Sequence, residues 1–503
     1  MQLVSLYIKD YRILHDFKID FSKDFNVEDS LNVIIGENGA GKTTLIECLL
    51  KIFSSLYNCK TVEDFAKIKN KINFEFTISY FTKAEKEVES TSNFSNQRVD
   101  YVKVTFSNIN KDWLILDYED KQLVNKDVNN FLFKSQYTLQ DLLPKNTVLY
   151  YSGFDNRLSD FANKYATSYF KEWFTFLEND SKGISINSPV FNFDPSQFNL
   201  LLFALFCTES NEISSFITNK FSIVGFTEIK LKLKMPSWNR GNSSETFWGA
   251  KGIFMEALLK FKNASQESNI QSKYITFSYF IPDVLLGLVN QGVDESFSSE
   301  KEIFQSLVAF EKMDLLDDIE ITLVKTVDNK NIEISSSNLS EGEKQLISIY
   351  GLKKILSANE GTLFLFDEPD TFLHPKWKKD FFKNIYSSNE NNIHYGDFDI
   401  ITTHSPEIIG GISSNDSLKL MENGKILSKS IFVKGRDYNS ILNSAFNSLK
   451  RNEYGDELLN KFYKSLENEQ FEIAKSILIE IIKSFGSDDI ETQRAIENLD
   501  DNI

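Results

Sequence analysis

Histidine and cysteine are scarce in this chain of 503 residues, with four of the first and three of the second. Cys48, Cys59 and Cys207 are odd in number and carry no metal-type spacing, which excludes a disulfide framework and a zinc site and suits a reduced cytoplasm. No run of about 18 apolar residues occurs, so no segment is expected to span a membrane. The opening MQLVSLYIKDYR lacks the basic flank, apolar stretch and small-residue cleavage site of a secretory signal. Positive charge is also short: 55 Lys and Arg against 72 Asp and Glu leave a formal net charge of −17. Phosphate neutralisation drives nucleic-acid binding, so general DNA affinity is excluded and only a local basic groove stays open. Sustained heptads and solenoid repeats are missing, and low-complexity sequence is confined to short loops such as SSNENNIHYGD. What remains is an ordinary globular composition, 41% hydrophobic and 25% charged, in a chain long enough for two or three domains.

Against these absences stands LNVIIGENGAGKTTLIECLLKIF. Leu31 to Ile35 is an apolar run suited to a buried parallel strand, and Leu45, Leu49, Ile52, Phe53 and Leu56 give the next segment one helical apolar face. Between them, Gly36 through Thr43 fit G-x-x-x-x-G-K-T without a mismatch. Glycines in such a loop let backbone N–H groups wrap phosphate oxygens, and the helix N-terminus adds positive potential. Gly36, Glu37, Asn38, Gly39, Ala40, Gly41, Lys42, Thr43 and Thr44 are therefore read as nucleotide-binding. Lys42 is expected to neutralise the β- and γ-phosphates and Thr43 to ligate Mg²⁺, so ATP and Mg²⁺ are the expected cofactors.

GTLFLFDEPD offers the other half of a hydrolytic site. A strand over Leu363–Phe366 delivers Asp367 and Glu368 at the C-terminal edge of a parallel sheet, where such folds bind ligands. Asp367 is expected to hold the Mg²⁺ shell, and Glu368 to orient and deprotonate the attacking water. FDIITTHSPEII reads as a second strand that releases His404 at its end. NLSEGEKQ, ahead of a helix expected over 343–356, places Ser340 and Gly342 beside unpaired N–H groups, which is anion-binding geometry. One chain already has a loop for its own phosphates, so this helix start is best used on a neighbour's ATP. Two chains would then clamp two nucleotides head to tail.

Gly36–Thr43, LSEGEKQ, LFLFDEP, DTFLHP and TTHSP follow in an order that resembles the ABC-type ATPase heads of SMC, RecF and OLD proteins. DEPDTFLHP with TTHSP is similar to the OLD-like bacterial ATPases rather than to transporters. The resemblance implies an α/β fold: a P-loop NTPase core sheet with an N-terminal β-hairpin lobe, a compact, mostly helical insertion and a small C-terminal helical module. It implies that Glu368 and His404 are catalytic, His404 as the switch histidine. Ser340, Gly342 and Glu343 would act in trans as the signature, with Asp370 as the D-loop residue meeting the opposite subunit. LYIKDYRILHDFKIDF resembles the family's opening hairpin, with Arg12 where a residue often nears nucleotide or DNA; a solvated strand-edge arginine is the alternative. No Q-loop glutamine follows the P-loop helix. VLYYSGFDNRL, 148–158, falls roughly where that loop belongs and resembles the Y-S-S-G segment of some defence ATPases.

These marks divide the chain into ATPase lobes over 1–155 and 330–435, an insertion over 156–329 and a module over 436–503. The insertion has one basic-aromatic stretch, KLKLKMPSWNRGNSSETFWGAKG. There Lys230, Lys232, Lys234, Arg240 and Lys251 flank Trp238 and Trp248, a pattern that suits a solvated strand and loop or a nucleic-acid contact. The residues beyond 435 are too few for a TOPRIM nuclease and lack its acidic strand end, and His15 and His394 lie too far apart for an HNH motif. The chain is thus expected to cut nothing itself. Phe471, Ala474, Ile477, Leu478, Ile481, Ile482 and Phe485 recur at helical spacing. KGRDYNSIL and FGSDDIETQRAIENL resemble the C-terminal region of the Septu-type ATPases, the PtuA group, on which a separate HNH nuclease, PtuB, docks. The resemblance implies an anti-phage defence ATPase whose homodimers or higher homo-oligomers hold or license a nuclease through 436–503, with nucleic acid reached through an oligomer groove. A helix packing on its own head is the alternative use of the tail. For the whole chain, the competing readings are a RecF-like repair ATPase that binds DNA directly and an ATP-gated scaffold that does not hydrolyse.

Overall fold

The computed structural model describes residues 1–21, 30–68, 72–84, 100–118, 121–135, 138–153, 157–176, 188–208, 210–289, 296–357, 361–386, 397–412, 418–428, 453–487 and 489–500. The chain forms two compact units, Met1–Ser430 and Ile431–Ile503.

A seven-stranded sheet organises the first unit. Its order is Lys425–Leu427, Leu418–Glu422, Leu31–Ile35, Phe398–Thr403, Thr362–Asp367, Asn146–Tyr151 and Val190–Phe193. Every neighbouring pair is parallel except the first. TLFLFD and FDIITT are buried at every position, which is why they read as near-continuous apolar runs rather than alternating ones. Thr402 pairs in register with Asp367 on one side and Ile34 on the other. The phosphate loop, the Asp367–Glu368 pair and His404 consequently leave the same sheet edge, one strand apart.

Against this sheet lies a six-stranded antiparallel one, ordered Leu14–Asp20, Gln2–Tyr11, Phe76–Ala84, Asp100–Ser107, Leu114–Tyr118 and Lys121–Val124. It enlarges the expected N-terminal hairpin into a full lobe. The P-loop helix, Lys42–Tyr57, is the filling between the two sheets. Leu45, Leu49, Ile52, Phe53 and Leu56 are all fully buried in one core with Leu6 and Ile8 of the hairpin and Leu363 and Ile400 of the central sheet. Each such side chain contributes on the order of 1.5–3 kcal/mol on burial. The helix that follows the phosphate loop is thus anchored along its length.

The insertion is built on strands as well as helices. Its five-stranded antiparallel sheet runs Glu267–Ile270, Tyr274–Tyr279, Ile223–Lys234, Leu316–Val327 and Lys330–Ser335. In the mostly helical insertion expected from sequence, helices such as Phe198–Phe206 and Glu300–Lys312 are accompanied by this sheet, whose signal was the alternation KLKLK. Ile229, Leu231 and Leu233 are buried, while Lys230, Lys232 and Lys234 point the other way. Two elements also cross the boundaries drawn at 155 and 329. Val190–Phe193 joins the central sheet, and Lys330–Ser335 pairs with Leu316–Val327.

In the second unit the described residues form three helices, Glu453–Glu467, Phe471–Phe485 and Ile490–Asp500. Leu458, Phe462, Ala474, Leu478, Ile481, Ala495 and Leu499 make its core. The apolar periodicity of 471–485 is a helix, although Ile482 is exposed. KGRDYNSIL lies outside the described residues. Among the described residues no helix is long and apolar enough to cross a membrane. Cys48, Cys59 and Cys207 are buried free thiols.

Candidate functional site

The loop between strand Leu31–Ile35 and helix Lys42–Tyr57 has glycines for steric reasons. A side chain at Gly36 would come within 2.2 Å of the Met421 carbonyl oxygen, backbone that cannot yield. Gly41 has φ 109°, which a Cβ disfavours. The turn of the N-terminal hairpin closes over this loop. A Cβ at Gly41 would meet Ile13 at 3.0 Å, and the Gly424 N–H donates to the Ala40 carbonyl at 2.9 Å. Lys42 is buried, and its Nζ donates to the carbonyls of Gly36 at 2.7 Å and Glu37 at 3.1 Å. Burial lowers its pKa, against the opposing pull of Glu368 and Asp367.

Thr43 Oγ1 donates to Asp367 Oδ2 at 2.7 Å, and the Thr402 hydroxyl donates to the other carboxylate oxygen. Burial foremost raises the Asp367 pKa, with both hydroxyls holding it down. A hydroxyl and a carboxylate brought together beside Lys42 form an all-oxygen donor set, which fits Mg²⁺ as a ligand of the loop's phosphates. Among the described residues no larger group of His, Cys, Asp and Glu suits a metal.

Glu368 takes a left-handed backbone, φ 51°, a sparsely populated conformation for a side chain of this size. Its N–H donates to the Thr402 carbonyl at 3.0 Å, and Ser152 Oγ donates to its own carbonyl at 2.7 Å. So held, Glu368 Oε1 lies 3.2 Å from His404 Nδ1 and 3.9 Å from Lys42 Nζ. The bond to His404 is the main cause that lowers the Glu368 pKa, and the same bond raises that of His404.

A cavity of about 360 Å³ opens over these groups, lined by Arg12, Ile13, Asn38, Gly39, Gly41, Lys42, Thr43, Thr44, Arg157 and Glu368. Arg12 lines it while its guanidinium grips buried Glu47 at 2.9 and 3.1 Å. The strand-edge alternative for Arg12 gives way to a place at the nucleotide loop.

Ser340, Gly342 and Glu343 lie outside this lining. The helix runs Glu341–Leu356 and starts two residues earlier than expected, because Ser340 and Glu343 form a capping box. Glu343 N–H donates to Ser340 Oγ at 3.3 Å, and both Ser340 N and Oγ donate to Glu343 Oε2 at 2.9 Å. Lys325 reaches Glu343 at 2.6 Å. Burial would raise the Glu343 pKa, but the Lys325 and Ser340 bonds together bring it below the ordinary value. Ser340 is exposed, and Gly342 packs so closely that a Cβ would stand 2.9 Å from the Phe372 carbonyl.

Asp370 is buried within this chain. Expected to meet an opposite subunit, it is 1% exposed and committed within the chain, accepting from Thr403 Oγ1 at 3.0 Å and pairing with Lys378 at 3.3 Å. Two neighbouring positions are open instead, Thr371 and Phe372. The structure also brings in residues given no role from sequence: Ser152, Arg157, Thr402 and Thr403. A polar pair ending an otherwise apolar buried strand was the available signal for the threonines. The stretch 230–252 uses its groups internally: Lys234 pairs with Asp314, Trp238 Nε1 donates to the Met313 carbonyl, and fully buried Trp248 donates to Ser272. It is a strand and loop, not a stacking platform.

Residues 1–409 match the AAA ATPase domain family. A curated relative, the Retron Ec83 probable ATPase of Escherichia coli, is 27% identical over 177 residues, which span 32% of each chain. The chain thus aligns with about a third of that relative's length. Similar solved structures include an SMC head bound to the C-winged helix domain of ScpA, at 13% identity and TM-score 0.32, covering 86% of this chain and 98% of that one. The SMC head domain from Thermotoga maritima gives 11% and 0.30 over 86% and 100% of the two chains. An ATP-binding cassette of an ABC transporter in its ADP conformation gives 13% and 0.26 over 88% and 94%.

Proposed function

This chain belongs to the AAA ATPase domain family, and we propose that it is the ATP-binding and hydrolysing subunit of a bacterial anti-phage defence system. Pairing of two copies on nucleotide would hold or regulate a separate nuclease, with an HNH-type partner favoured. One observation carries the pairing: the cavity over Lys42 is lined by the phosphate loop, Glu368 and two arginines, whereas exposed Ser340 and the helix start behind it lie outside that lining. The exposed Ser340 hydroxyl, which caps this helix start with Glu343, would turn to the γ-phosphate held by a second copy.

Within the cavity, the loop N–H groups and Lys42 bind the triphosphate, and Glu368 orients and deprotonates water. His404 holds the Glu368 carboxylate in place. Mg²⁺, when bound by Thr43 and Asp367, neutralises charge that develops on the phosphates. Resemblance to the retron ATPase supports the defence setting, and the C-terminal motifs support a Septu-like partner docked on 436–503. The chain's net charge of −17 and its internally paired insertion lysines argue against a repair enzyme that grips DNA directly.

Turnover per chain is expected to rise with protein concentration until pairing saturates. Full-rate hydrolysis by a monomer, indifferent to dilution, would overturn the composite-site reading.

A further inference from the structure

Glu47 is a buried carboxylate that the hydrolysis scheme does not use. It sits on helix Lys42–Tyr57, one turn past Thr43, and three side chains close on it. Arg12 reaches it with both terminal nitrogens, at 2.9 and 3.1 Å, the Tyr11 hydroxyl donates to it at 2.7 Å, and Lys51 pairs with it at 2.9 Å. Lys51 also donates to the Tyr11 hydroxyl at 2.7 Å.

Arg12 occupies the two-residue turn between Gln2–Tyr11 and Leu14–Asp20 with φ 54°, where the backbone favours glycine. Turn and carboxylate together orient the guanidinium. Its fork, the part that matches phosphate oxygens in pairs, is turned to Glu47. Its central carbon lies 5.3 Å from the centre of the Tyr11 ring. Arg12 still lines the cavity, and its side chain is 37% exposed against 7% for Glu47. What it offers the cavity is the flat of a charge-paired guanidinium rather than the fork. Lys42 and Glu368 mark where the terminal phosphates lie, and Arg12, tethered one helical turn beyond Thr43, stands toward the rest of the nucleotide.

We propose that Arg12 is a stacking platform for the base of the nucleotide, that Glu47 is the positioning residue that holds it flat, and that the site thereby selects purines. This rests on the ATPase reading. Guanidinium planes stack on π-faces, and a purine offers a larger face than a pyrimidine. Tyr11, Arg12 and the base then form one stack, anchored through Glu47 to the same helix that begins at the phosphate loop.

The test uses the full chain, with ATP, ADP and CTP affinities measured by calorimetry beside turnover. Wild type should bind ATP at least about 10-fold tighter than CTP. Arg12→Ala should weaken ATP and ADP alike, by about 10-fold, and erase the preference for ATP over CTP, with KM rather than kcat carrying the loss. Arg12→Lys should not restore that preference, because an ammonium has charge but no plane. Glu47→Gln breaks the pair that holds the fork and should lower the ATP-over-CTP preference about 3- to 10-fold, whereas a merely structural loss would weaken both triphosphates equally. Should Glu47→Gln fail to fold, Glu47→Asp keeps the charge, shortens the tether and should lower the preference in the same direction. An unchanged preference in the folded Glu47 variant overturns its positioning role. A loss confined to ATP with ADP untouched, full rescue by lysine, or a wild-type chain indifferent to the base overturns the platform. A wild-type chain that binds none of the three nucleotides defeats the ATPase reading itself, whereas normal turnover with a preference unmoved by every variant defeats this proposal alone.

Discussion

Oε1 of Glu368 stands 3.2 Å from Nδ1 of His404, on a residue whose left-handed backbone is fixed by Thr402 and Ser152. The bond to His404 orients the carboxylate beside Lys42, which is what a general base requires. Glu368→Gln keeps the shape and removes the basicity. ATP binding should persist, turnover should fall by about 10²- to 10⁴-fold, and paired chains should accumulate with ATP. Turnover and sedimentation read both, and normal hydrolysis by this variant would remove Glu368 from its role.

Ser340→Arg places a large cation at the exposed helix start, outside the cavity of its own chain. Loss of the cap lowers stability by about 1 kcal/mol, too little to unfold the protein. ATP should still bind a dilute single chain, and turnover should stop. Wild-type turnover in this variant would defeat the use of Ser340 on a second copy.

Glu343 sets a pH dependence on the same helix start. Its carboxyl pKa is lower folded than unfolded, so its contribution is present above the unfolded value and lost as pH falls through the folded one. Glu343→Gln should lower the unfolding free energy, measured by denaturant titration, by about 1–2 kcal/mol near neutral pH. The gap from wild type should close as pH drops below about 4. A gap that stays constant between pH 7 and pH 3.5 would show that the charge on Glu343 is not what holds the box.

Removing 436–503 takes away most of the second unit, which begins at Ile431. ATP hydrolysis should change less than about 3-fold, because the cavity lining belongs entirely to the first unit. A co-expressed HNH nuclease should no longer co-purify. Retained co-purification would place the docking surface elsewhere.

The central sheet was legible because strands buried on both faces have little choice of residue, and the phosphate loop was legible because its glycines answer to fixed backbone. Gly36 beneath the Met421 carbonyl is one such case. The partners of Asp370 were not legible: a motif names a residue type at a position but not the Lys378 and Thr403 that bond it. Ser152 was hidden because it bonds Glu368 across a separation of 216 positions. The five-stranded sheet of the insertion was half-visible in KLKLK, but its partner strands lie on either side of helix Glu300–Lys312.

A ribosome makes the phosphate loop well before the strands that roof it, Leu418–Glu422 and Lys425–Leu427. Gly36 is covered by Met421, Ala40 is held by Gly424, and Gly424 abuts the Ile13 carbonyl, where a Cβ would stand 2.0 Å away. An emerging chain that has yet to release residues 418–427 carries GENGAGKT with the hairpin turn at Ile13 beside it but without Met421 and Gly424. Closure over the phosphate loop thus waits on residues 418–427, which complete the contacts at Gly36, Ala40 and Gly41.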